Sequence, residues 1–170
     1  MDDSRGRTVL VVDDEPDIRF YLKTILENAG FDVMVAGNGK QALDRVKDRK
    51  PDVISLDLVM PRMSGLKFYQ YLQKNPEKAD IPCVIVTAHG KDDFGSKDLA
   101  KLQAEGADRP LYYLEKPVKP SVYVNTIREA MGLSAVADDP EERESLIMQL
   151  QDKMKNADTE RLKQALRVLV

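Results

Sequence analysis

Five apolar runs of strand length alternate with segments of helical period, and this alternation limits the fold more than any other feature of the chain. The first run is Thr8 to Val12. After it, Ile18, Tyr21, Leu22, Ile25, Leu26 and Ala29 recur on one face of a helix, with Pro16 in its first turn and Gly30 past its end. Phe31 to Ala36 reads as a second strand, and Ala42, Leu43 and Val46 mark a helix that Pro51 stops. Val53 to Leu56 is the third strand. A helix opening at Ser64 or Gly65 runs to about Lys74, and Asn75-Pro76 closes it. Cys83 to Val86 is a fourth strand, a looser helix falls near Lys97 to Glu105, and Leu111 to Leu114 is a fifth strand. Pro120 starts a helix carrying Val124, Ile127 and Met131, and Gly132 stops it. The strands lack polar alternation, as expected when helices cover both faces of a parallel sheet. The pattern predicts a doubly wound α/β fold.

The character changes at about Ser134. Ser134 to Asp139 reads as a linker. Asp139-Pro140-Glu141-Glu142 has the form of a helix start, followed by an apolar stripe of Leu146, Ile147, Leu150 and Met154. Asn156-Ala157-Asp158 interrupts the stripe, and Leu162, Ala165, Leu166 and Leu169 form a second one. These stripes fit a helical extension that folds back, self-associates into a homodimer, docks a partner or leads into a further domain. Its 37 residues include eight acids and six bases, too small and too acidic for a DNA-binding domain.

Charge and cysteine content exclude other classes. With 26 basic and 29 acidic residues, the net charge of −3 gives no basic face for nucleic acid. The one cysteine, Cys83, can form no internal disulfide and no thiolate metal cage, which fits a reducing compartment. No apolar run approaches a membrane span and the N-terminus lacks the layout of a signal peptide, so the expectation is a cytoplasmic protein with no membrane contact.

The informative polar residues stand where the apolar strands end. Asp13 and Asp14 follow the first strand, Asp57 the third and Thr87 the fourth, while Lys116 lies just beyond the fifth. Ligands in parallel α/β sheets bind outside the carboxyl ends of strands, near the point where strand order reverses. If the order is 2-1-3-4-5, these residues share one cleft. Three neighbouring carboxylates repel unless a cation or protons intervene. Oxygen ligands without His or Cys favour Mg²⁺, with Lys116 adding a positive charge and Thr87 a hydrogen-bond donor. A carboxylate can attack phosphorus, so the chemistry implied is phosphoryl acceptance on an aspartate.

In order, the stretches VLVVDDEPDIR, AGNGKQALDRV, PDVISLDLVMPRMSG, VIVTA and YYLEKPV closely resemble the receiver domain of two-component response regulators. They cover roughly residues 8 to 133, about three quarters of the chain. The resemblance implies a flavodoxin-like five-stranded parallel sheet, a tail at residues 1–7, a receiver domain at 8–133, and a linker with amphipathic helical extension at 134–170. It implies Asp57 as phosphoacceptor, Mg²⁺ bound by Asp14, Asp57 and the Val59 backbone carbonyl, and Asp13 acting through a water. Lys116 would contact the phosphoryl group, Thr87 and Tyr113 would form a switch pair, and the Lys116-Pro117 bond sits where the family often has a cis peptide. Between Thr87 and Lys116 lie 28 residues, several more than the family usually carries, so the surface there is expected to suit a non-standard partner.

The expected function is therefore acceptance of a phosphoryl group on Asp57 from a histidine kinase or phosphotransfer protein. The output would be protein–protein contact with a downstream partner, and the chain would not be a dedicated enzyme. Two alternatives are a phosphorylation-independent binding module and an Mg²⁺-dependent aspartyl phosphatase. The second usually places its nucleophile in a DxD after the first strand, whereas here Asp13 and Asp14 are adjacent. His89, the sole histidine, is expected to be a polar loop residue.

Overall fold

β1 (Thr8–Val12) is buried from end to end, as are β3 (Val53–Leu56) and β4 (Cys83–Thr87), whereas β2 (Asp32–Ala36) and β5 (Tyr112–Glu115) are only partly covered. That difference follows from position. In this computed structural model all pairings are parallel and the order is β2-β1-β3-β4-β5, so the two partly covered strands are the sheet edges. The structure describes residues 3–88, 97, 100–104, 111–137, 140–155, 163, 164, 166 and 167.

Helices α1 (Pro16–Asn28), α2 (Gly39–Asp48), α3 (Gly65–Gln73) and α4 (Pro120–Ala130) form where local signals and apolar period agree. Pro16 and Pro120 stand in first turns, where no amide donor is needed. Asn38 and Ser64 cap α2 and α3 by accepting from the amides of Gln41 and Lys67. Gly30 and Gly132 adopt positive φ, +86° and +72°, just past the ends of α1 and α4, the left-handed conformation that a glycine takes at little cost.

The two sheet faces carry two cores. On one, Val9, Val11, Val53, Val84 and Val86 pack against α1 and α4 through Leu22, Ile25, Tyr123 and Ile127. On the other, Leu10, Ile54, Leu56 and Ile85 pack against α2 and α3 through Ala42, Val46, Phe68 and Leu72. Leu102, within helical residues 100–104, is buried in this second core. Each large apolar side chain so buried contributes about 1.5–3 kcal/mol.

Three strand boundaries differ from expectation, and one of them is the end of β4, at Thr87 instead of Val86. β5 covers Tyr112–Glu115 instead of Leu111 to Leu114, because pairing with β4 continues to Thr87 opposite Glu115. β2 begins at Asp32, and Phe31 spends its side chain in the core beside α1.

The helical extension folds back. α5 (Pro140–Lys155) buries Leu146 and Leu150 in the core that contains α1, with Ile147 and Leu166 packed against it. The Lys153 ammonium lies 5.0 Å from the centre of the Phe20 ring, and Gln149 reaches Asn28, so α5 runs opposite to α1. The connector is fastened as well. Asn125 of α4 donates to the Val136 carbonyl at 3.1 Å and accepts from its amide at 2.9 Å, while Arg128 donates to the Ser134 carbonyl. Most of the second predicted stripe, with Leu162, Ala165 and Leu169, lies outside the described residues.

Candidate functional site

Strand pairing delivers the polar residues to one end of the sheet. β1, β3, β4 and β5 are consecutive neighbours. Their hydrogen bonding continues past the strand ends: the Asp13 amide donates to the Ala36 carbonyl, that of Asp57 to Val12 and that of Lys116 to Thr87, at 2.9–3.1 Å. The backbones that carry the site are thus extensions of the sheet and share its rigidity.

Asp13, Asp57 and Thr87 are buried, and Asp14 is half-buried. The Lys116 ammonium contacts an Asp13 carboxylate oxygen and lies 3.3 Å from Asp57 Oδ2. The other Asp57 oxygen accepts from the Val59 amide at 3.3 Å, and the Thr87 side chain also hydrogen-bonds Asp57. Asp13 Oδ1 accepts from the Glu15 amide at 3.0 Å. One end of the sheet therefore presents three carboxylates around one ammonium and one hydroxyl.

The electrostatics follow from burial. Desolvation raises the Asp13 and Asp57 carboxyls above the usual carboxylate range, even though the Lys116 charge opposes it; for Asp13 the nearby Asp57 charge adds to the rise. Burial alone would lower Lys116, but the Asp13 and Asp57 charges outweigh that and hold its ammonium more firmly protonated. The pocket sets three carboxyl groups against one lysine.

That imbalance, and the donor set, fit a small divalent cation. Asp13, Asp14 and Asp57 each offer a carboxylate oxygen, and these atoms lie within 4.8 Å of one another. The ligands are hard oxygens, with neither imidazole nor thiolate among them, which suits Mg²⁺ better than softer metals.

All the residues singled out at strand ends in the sequence meet here. Val59 meets Asp57 through its amide, while its side chain faces outward. Tyr113 lies on the sheet face of Ile85 and packs with the α2–α3 core, whereas Tyr112 packs with the opposite core. Tyr113 therefore shares a face with Thr87, two residues beyond Ile85 on β4, and Tyr112 does not. The Lys116-Pro117 bond is cis. His89 lies outside the described residues, as does most of the long segment between Thr87 and β5.

Other supporting residues were not singled out as site residues in the sequence. Arg19 donates from its guanidinium to the Asp13 carbonyl at 2.7 Å, across the first turn of α1. Gly65 donates its amide to the Leu58 carbonyl at 3.0 Å and packs on the Asp57 backbone. Arg62, at φ +70°, turns the chain tightly between them, with the Met63 amide donating to the Pro61 carbonyl. Nothing in residue type or period distinguishes Arg19 from other solvent-facing helix positions, and Gly65 reads equally well as a plain helix start.

Comparison with known proteins gives a concordant result. A family model described as the response regulator receiver domain matches residues 9–128. The phosphate regulon transcriptional regulatory protein PhoB of Pseudomonas aeruginosa is 35% identical over 133 residues, covering 78% of this chain and 55% of that protein. Protein PilH of the same organism is 36% identical over 124 residues, covering 73% of this chain and 97% of PilH. The chemotaxis protein CheY4 of Vibrio cholerae superposes with a TM-score of 0.63 at 27% identity, covering 73% of this chain and 98% of CheY4. The chain spans little more than half the length of PhoB and nearly all of PilH.

Proposed function

The chain belongs to the response regulator receiver family, and from that membership we propose that Asp57 accepts a phosphoryl group from a histidine kinase or phosphotransfer protein. What carries the reading is the position of Asp57: a buried carboxylate with the Lys116 ammonium and the Thr87 hydroxyl at its oxygens and two further carboxylates beside it. A charged oxygen held among fixed donors is suited to attack phosphorus. The bond from Asp57 oxygen to phosphorus forms as the phosphorus–nitrogen bond of a phosphohistidine breaks, and the leaving imidazole takes up a proton. Lys116 would pair with an oxygen of the transferred group and Thr87 would donate to another. Asp14, Asp57 and the Val59 carbonyl would hold Mg²⁺, with Asp13 acting through a water, and the cation would neutralise charge on the transferring phosphoryl oxygens.

The output is proposed to run through the Thr87–Tyr113 face. Thr87 would move its hydrogen bond from the free carboxylate to the phosphoryl group, and Tyr113, partly exposed beside it, would turn inward, altering the surface near β5 and α4 for a protein partner. The chain covers 97% of PilH but only 55% of PhoB, which continues well beyond the matched part. A homodimer through the C-terminal helices would use the outward face of α5, where Met148 is exposed, or would require Leu146 and Leu150 to leave the core against α1. No helix among the described residues is long and apolar enough to cross a membrane, and we place the protein in the cytoplasm with its phosphodonor.

The test is intact-mass measurement after incubation with Mg²⁺ and acetyl phosphate. Wild type should gain one phosphoryl group, labile to hydroxylamine, and Asp57→Asn should gain none. Equal labelling of both would remove Asp57 from the role. Sustained turnover of small phosphate esters would favour the phosphatase alternative, and partner binding indifferent to Asp57→Asn and to phosphodonor would favour the phosphorylation-independent one.

A further inference from the structure

Lys116 has a flexible four-carbon stem, so its ammonium is useful only if the backbone beneath it is held. One side of that backbone is fixed by the Lys116 amide on the Thr87 carbonyl. Beyond it, residues 117–119 cross from β5 to α4 without strand partners, and Val118 is buried within them. Its carbonyl accepts a hydrogen bond from a residue far away in sequence. The Tyr21 hydroxyl, on a ring only 1% exposed, donates to Val118 O at 2.8 Å across 97 residues of chain.

We propose that Tyr21 is a positioning residue for phosphoryl acceptance, its hydroxyl holding the segment after Lys116 so that the ammonium stays between Asp13 and Asp57. This rests on the reading of Asp57 as acceptor and deepens it. α1 begins directly after Asp13 and Asp14, and its Arg19 already grips the Asp13 carbonyl. Through Tyr21 the same helix also grips the lysine side of the pocket. The carboxylates at the end of β1 and the cation beyond β5, which lie three strands apart in the sheet, are thereby tied to one rigid element.

A second buried tyrosine provides a matched control. The Tyr123 hydroxyl donates to Ser55 Oγ at 2.8 Å in the same core. Ser55 sits on β3, between two parallel neighbours whose register fixes it whatever the hydroxyl does. Removing either hydroxyl costs one buried hydrogen bond at almost unchanged volume, but only the Tyr21 hydroxyl donates to the segment after Lys116; Tyr123 meets that segment through its backbone amide on the Lys119 carbonyl, a bond that Tyr123→Phe keeps.

The experiment compares the full-length chain with Tyr21→Phe and Tyr123→Phe, each with and without Lys116→Ala. Tyr21→Phe should slow phosphoryl uptake from acetyl phosphate about fivefold, the scale of one net hydrogen bond. Tyr123→Phe should leave the rate within twofold while lowering the urea midpoint comparably. In the Lys116→Ala background the Tyr21→Phe effect should vanish, which a merely structural role would not produce. Amide ¹H–¹⁵N shifts of metal-free protein give a readout independent of phosphorylation: Tyr21→Phe should move residues 116 and 118, and Tyr123→Phe should leave both in place. An unchanged rate, a slowdown that persists without Lys116, or an undisturbed 116–119 segment would each overturn the proposal. A wild type that takes up no phosphoryl group defeats the acceptor reading instead, and the shifts then still decide whether Tyr21 holds the lysine segment.

Discussion

Gly65 stands so close to Asp57 that a β-carbon at position 65 would lie 2.1 Å from the Asp57 carbonyl oxygen. No side chain fits that space, and the obstruction is sheet-anchored backbone that cannot swing aside. Gly65→Ala should therefore push the start of α3 off the end of β3, costing about 1–3 kcal/mol and slowing phosphoryl uptake on Asp57. Urea unfolding with a parallel mass assay checks this. Wild-type values in both would show that α3 shifts freely.

The buried carboxylates predict a pH dependence with a definite sign. The Asp13 and Asp57 carboxyls are raised, chiefly by desolvation, so the folded chain binds protons that the unfolded chain has released. Their contribution to stability is full below about pH 4, the ordinary carboxylate range, and is lost as the pH rises through their shifted values. In EDTA, wild type should lose stability across that window relative to Asp57→Asn, and the variant should be the more stable at neutral pH. Urea midpoints measured across a pH series test it. A variant less stable than wild type at neutral pH would contradict the sign.

Mg²⁺ should reverse that penalty. A ligand that binds only the folded chain stabilises it by about 2.7 kcal/mol at one hundred times its dissociation constant. Thermal midpoints should rise with added Mg²⁺ and fall again with EDTA, and Asp14→Asn and Asp57→Asn should each blunt the rise. Equal stabilisation of all three chains would place the cation elsewhere.

The scaffold was legible because it rests on local signals. Pro16, Gly30, Ser64 and Gly132 punctuate the helices where the apolar period predicts, and five buried runs give the strands. The strand-end residues were legible too, since Asp13, Asp57 and Lys116 interrupt apolar sequence. What sequence concealed are bonds joining distant positions. Tyr21 and Tyr123 fall on apolar helix faces and read as filler, because period reports burial and says nothing about a hydroxyl's partner 97 or 68 residues away. The extension's destination was hidden for the same reason: Leu146 and Leu150 announce a buried stripe, but not that α1 covers it.

That destination gives a prediction outside the family-matched residues 9–128. Leu150 is fully buried, so Leu150→Ala should destabilise the whole domain by about 2–5 kcal/mol, as a core substitution does. A chain ending at Leu133 should show a lower urea midpoint and stronger binding of an apolar dye. Unfolding curves superimposable on wild type would mean that α5 adds no stability.

The clasp between Asn125 and Val136 has a consequence for recognition. Only three residues separate Val136 from the first residue of α5, so a detached α5 drifts no further than that short leash permits. An outside helix seeking the α1 face thus competes with a resident rival at an effective concentration on the order of millimolar. Weak visitors are turned away, and a successful one must either offer more apolar area or first loosen the asparagine.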